Sequence, residues 1–122
     1  MADSENLRLI QLLYLRTKER AVQWTPDTTA GAFVASFQDY AIRIRAQADM
    51  DFPDQPDYFV EILDEAGRAV DNLSNYSFST MMEEKTQEGL NPYQVLAETY
   101  VAAKRQALGA DQALKSLLEQ LS

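Results

Sequence analysis

Hydrophobic and polar positions change period twice along the chain, and each change marks a change of expected structure. In the opening stretch "DSENLRLIQLLYLRTKERA", Leu7, Ile10, Leu13, Tyr14 and Thr17 recur every three or four residues, which places them on one face of a helix. Leu9 and Leu12 widen that stripe, while Arg8, Arg16, Lys18 and Arg20 fall mostly away from it. The bases gather toward the C-terminal end, where they suit the helix dipole. Asp3 or Ser4 is placed to cap the start.

The period then drops to two. "AVQWT" reads as a short edge strand and "TPDTTAG" as a turn. In "AFVASF", Phe33, Ala35 and Phe37 alternate with Val34 and Ser36; in "YAIRIRA", Tyr40, Ile42 and Ile44 face away from Arg43 and Arg45. Gln38 and Asp39 alone separate these runs, which predicts a tight hairpin. "YFVEIL" sets Tyr58, Val60 and Ile62 against Phe59, Glu61 and Leu63. The loop "DEAGR", with Gly67 supplying a positive φ, returns the chain into "AVDNL". The middle of the chain therefore reads as a meander of four or five strands.

Beyond Leu73 the signal turns helical again. "SNYSFST" is polar and matches no single element. Thr80 and Glu83 spell a capping box for a short helix over 81–88 that Gly89 would end. Asn91, Pro92 and Gln94 mark a stronger start: a cap, a proline at the first helical position, and a glutamine three residues on. That helix is expected to reach Leu108 and stop at Gly109. Asp111 is then expected to cap a last helix bearing Leu114, Leu117, Leu118 and Leu121. The whole reads as a single α+β domain over 1–122: an N-terminal helix, an antiparallel β-meander of four or five strands, and two or three C-terminal helices packed on one sheet face. The last helix carries more leucine than it needs to pin itself down. It is expected either to pack on the meander or to swap onto a second copy, with a homodimer the favoured outcome.

Length and composition change this picture little. A chain of 122 residues can bury one core unaided. Nineteen acids against eleven bases leave a net charge of −8, which disfavours a phosphate-binding surface and hence nucleic acid as a partner. At 46 % hydrophobic residues the chain is no disordered tail. No apolar run approaches the ~18 residues a membrane span needs. Absent cysteines and the lack of a basic leader-like start lead us to expect a cytoplasmic setting with no membrane partner.

Candidate chemistry is sparse. Without histidine or cysteine, Ser-His-Asp and Cys-His catalysis and the usual zinc sites are excluded. Ser36, Ser74, Ser77 and Ser79 sit in no activating motif, and the four isolated glycines form no phosphate loop. The densest feature is "DMDFPDQPDYFVEILDE", residues 49–65, with seven acids, no base and two prolines. Asp49 and Asp51 begin like a calcium loop, but Pro53, Asp54 and Val60 stand where it needs Asp or Asn, Gly and Glu. A looser magnesium site from Asp49, Asp51 and Asp54 lacks any phosphate-binding neighbour, so the stretch is read as metal-free: a proline-stiffened, solvated connection between strands. Asp57 and Glu61 could serve as glycosidase carboxylates, yet residues four apart on a strand are usually exposed neighbours. Arg43 and Arg45 form the one basic pair on a strand. They suit either a stacking surface with Phe33, Phe37 or Tyr40, or cross-strand pairing with acids such as Glu61. Trp24, Tyr14, Tyr93 and Tyr100 are expected as core or interface aromatics.

Tyr14, Arg16, Thr17 and Trp24, followed by "ASFQDYAIRI" and "DYFVEILDEAGRAVDNL", carry a resemblance over residues 9–73. In this respect the chain resembles small bacterial proteins without an assigned function, in which a helix ending in a Tyr-x-Arg-Thr-like step leads to a tryptophan and an alternating meander. The resemblance implies a bacterial or phage-type cytoplasmic setting and transfers no site residue. Taken together, the residues favour a non-enzymatic interaction, accessory or inhibitor module acting through an acidic surface on a protein with a basic one. Asp49, Asp51, Asp54, Asp57, Arg43 and Arg45 are its candidate partner-binding residues, and neither cofactor nor metal is expected. The alternative is a small enzyme, or a nucleotide- or nucleic-acid-binding domain, using carboxylates with Arg43 and Arg45.

Overall fold

The apolar stripe of the first segment forms helix α1 (Ala2–Lys18), which buries Ile10, Leu13, Tyr14 and Thr17; the computed structural model describes residues 2–122. Because α1 starts at Ala2, Asp3 and Ser4 lie inside its first turn, not ahead of it as expected of caps. The helix also ends earlier than its periodicity suggests. Arg20 takes a left-handed φ of 61°, the Ala21 N–H donates to the Arg16 carbonyl, and the Arg20 N–H donates to that of Thr17. This paired closure ends helices when one residue turns left-handed, a role usually given to glycine.

Five strands follow in simple antiparallel succession: β1 (Thr25–Pro26), β2 (Ala32–Ser36), β3 (Ala41–Gln47), β4 (Asp57–Leu63) and β5 (Ala69–Ser74). Their order in the sheet is their order in the chain. The expected edge strand is reduced to Thr25–Pro26, so the first residues of "AVQWT" stay outside it. Gln38 and Asp39 form the tip of the β2–β3 hairpin, where the Phe37 N–H donates to the Tyr40 carbonyl. Both flanking aromatics are consequently exposed and extend neither strand's buried row. The register shifts between Ile62 and Leu63, where β5 carries one extra residue, Val70. Beyond this shift Leu63 is buried and Ile62 only partly so, against the simple alternation expected of β4.

One face of the sheet is the core. Phe33, Ile44, Val60 and Leu73 pair across four strands, and all belong to a cluster with Ile10, Leu13, Val95, Leu96 and Phe78. Helix α2 (Pro92–Ala107) supplies Val95, Leu96, Thr99 and Ala103 and packs against both α1 and the sheet. Its start is the one its sequence spells: Asn91 accepts from the Gln94 N–H, and the Gln94 side chain accepts from the Asn91 N–H. The stretch expected as a helix over 81–88 is instead a series of turns, while the ambiguous segment before it forms a 3₁₀ helix, Asn75–Phe78, that buries Phe78. Residues 81–88 carry no apolar stripe beyond their first two methionines, and a helix this short has little stability without one. Helix α3 (Ala110–Leu121) is capped by Gly109, with φ 69°, and not by Asp111, which lies in its first turn. It contacts α2 and has no buried residue. Among the described residues, no helix is long and apolar enough to cross a membrane.

Candidate functional site

Alternation sends every second strand residue to the face away from the helices. Thr25, Val34, Arg43, Glu61 and Asn72 lie side by side across the five strands in one row; Ala32, Arg45, Phe59 and Ser74 form the next. This register sets both strand arginines around one carboxylate. Arg43 donates from Nε to Glu61 Oε1 at 3.2 Å and from Nη2 to Oε2 at 3.0 Å. Arg45 Nε donates to Glu61 Oε1 at 3.2 Å. Asp27, from the turn after β1, approaches Arg43 at 3.7 Å. The Arg45 guanidinium lies 4.1 Å from the centre of the Phe59 ring, within cation–π range.

Glu61 is only 9 % exposed, an unusual place for a carboxylate, and its two arginines make that burial tolerable. The Arg43 hydrogen bond holds the Glu61 carboxyl below its ordinary range. Burial opposes this, and Arg45 adds to the lowering. The same contact raises the Arg43 guanidinium still further. A general acid for glycoside cleavage needs a raised carboxyl, so Glu61 is poised the wrong way for that chemistry. Asp57, its expected partner, accepts from the Asn75 side chain at 3.3 Å. Asn75 in turn accepts from the Tyr58 N–H at 2.9 Å, so Asp57 helps tie the start of β4 to the 3₁₀ helix.

The acidic segment divides by role. Asp49 Oδ1 accepts from the N–H groups of Asp51 at 2.8 Å and Phe52 at 3.3 Å, folding the loop onto a carboxylate-capped turn. Asp51 and Asp54 are exposed, as are Met50 at 96 % and Phe52 at 63 %. Among the described residues, no three acids converge as a metal ion would require. The structure thus brings Arg43, Arg45 and Glu61 together, and keeps Asp49, Asp51 and Asp54 on a connecting loop. Asp27, the Arg45–Phe59 stack, and the two apolar side chains between the loop aspartates were not among the site residues expected from the sequence. The alternation of Met50 and Phe52 with acids was the available signal for the last.

Trp24 and Thr17, two of the residues that carry the resemblance noted above, meet in the core, where Trp24 Nε1 donates to Thr17 Oγ1 at 3.1 Å. Compared with known protein families, curated proteins and solved structures, the chain shows no match.

Proposed function

We propose that this protein is a non-enzymatic interaction module that presents its 48–56 loop to the basic surface of another protein. The observation that carries the reading is the exposure of Met50 and Phe52 among Asp49, Asp51 and Asp54, on a turn held by Asp49 itself. Methionine and aromatic side chains anchor interfaces, and a rim of like charge steers an oppositely charged partner toward them. The net charge of −8 acts in the same direction. A nucleotide-binding or catalytic role for Arg43 and Arg45 draws less support, because both guanidinium groups already engage Glu61.

A lysine-rich amphipathic peptide serves as the test partner, with binding followed by fluorescence anisotropy at low and physiological salt. Asp51→Asn with Asp54→Asn should slow association severalfold, chiefly at low salt; Phe52→Ala should speed dissociation at either. Asp49 is left intact because it holds the turn. A control that neutralises Glu83 and Glu84, also exposed but outside the loop, should change little. Equal losses from loop and control variants would leave only diffuse charge attraction and sink the reading.

A further inference from the structure

Helix α3 carries an apolar face without cover among the described residues. Leu114, Leu117, Leu118 and Leu121 are 53 %, 53 %, 59 % and 82 % exposed. The charges of α3, Asp111, Lys115 and Glu119, nearly cancel, which does not suit the cationic face that binds anionic lipid. Elsewhere an apolar groove of about 290 Å³ opens between α1 and the β2–β3 hairpin. It is lined by Leu9, Leu12, Leu13, Val22, Phe37 and Ile42, with Arg16 beside them. The groove is smaller than most enclosed small-molecule sites and open, a shape for side chains inserted from outside.

Helix and groove stay apart within one chain. Asp111 bonds Arg105 at 2.6 Å and Arg20 at 3.1 Å, which ties the start of α3 to the end of α2 and to the turn after α1. The cleft there is lined by Thr17, Lys18 and Arg20 at and just beyond the C-terminal end of α1 and shares no residue with the groove, which uses Leu9, Leu12, Leu13 and Arg16.

We propose that two copies of this chain associate reciprocally, the leucine face of each α3 seated in the α1–hairpin groove of the other. Area favours exchange over a simple α3–α3 pair. One helix face with four such leucines offers on the order of 400 Å², below the roughly 800 Å² per partner of a stable interface. Reciprocal docking uses a face and a groove from both copies, which brings the contact into that range. Setting the C-terminal turn of α3, the negative end of its dipole, against Arg16 on the groove rim would bring opposite charges together, with Arg16 also bonded to Glu19 at 2.6 Å.

Sedimentation velocity across a concentration series tests this directly. The wild-type chain should shift from monomer to dimer, and Leu117→Glu with Leu118→Glu should hold it monomeric. Leu12→Gln with Phe37→Ser, in the groove, should do the same. Mixing the two variants should restore a weaker heterodimer, since one helix–groove contact survives. The cysteine-free chain allows a second measurement. A Leu12→Cys, Leu118→Cys variant should form disulfides between chains, independently of whether the charged variants fold. A monomer at every concentration, a dimer indifferent to the groove substitutions, a disulfide within one chain, or ready cross-linking of Leu118→Cys alone would each overturn the proposal. Loop variants at Asp51 and Asp54 should leave the dimer unchanged, so this proposal and the functional one fail separately.

Discussion

Glu61 shows how one side chain can organise a sheet face. Its folded carboxyl lies below its ordinary value of 4.5, chiefly through Arg43. A depressed acid stabilises the fold above its unfolded pKa, and that contribution is lost as pH falls through its lowered folded value. Glu61→Gln should therefore cost about 1–3 kcal/mol near neutral pH, since it leaves Arg43 and Arg45 without their shared anion. In urea titrations the gap from wild type should close below pH 4.5; a gap of constant size would show that packing, not charge, is lost. Thr17 makes a neutral comparison. Thr17→Val keeps its shape but leaves the buried Trp24 indole N–H without its acceptor, for an expected loss of about 1–3 kcal/mol in thermal or chemical unfolding.

At the scale of elements, local chemistry succeeds where it reaches its own ends. The Asn91–Gln94 box was legible because all its partners lie within four residues, and it forms as spelled. Asn91→Ala should destabilise the protein by about 1 kcal/mol, read as a lowered urea midpoint with unchanged slope. Thr80 and Glu83 spell a similar signal without result, because a box ends a helix that other forces hold and cannot create one. The free edge of β5 shows a further local device. The Asn72 N–H donates to the Asp71 carboxylate and the Ser74 N–H to the Ser77 hydroxyl, so donors that could recruit another strand are already engaged.

For the molecule as a whole, α1, α2 and the sheet share one apolar cluster, whereas α3 stands outside it. Amide exchange should reflect that division. Ile44, Val60, Val95 and Leu96 should be protected up to the global unfolding free energy, and α3 should exchange much faster in dilute solution. If α3 instead shares full protection at low concentration, the division is wrong. Concentrated samples should slow its exchange if the reciprocal dimer forms.

The sequence by itself determined the succession of α1, the strand meander, α2 and α3, both hairpin turns and the cap of α2, because helix, strand and turn periods are written in residues two to four apart. It also brought Arg43 within reach of Glu61 as one of two readings. Tertiary structure decided which reading holds, since strand register chooses the partner and register depends on how whole strands dock. The same holds for Trp24, whose backbone N–H donates to the Gln106 side chain 82 residues away, and for Arg20, which reaches Asp111 across 91. Neither pairing leaves a local trace. Side chains so far apart in sequence meet only after α2 has packed against α1, a step driven by non-directional burial that names no partners in advance.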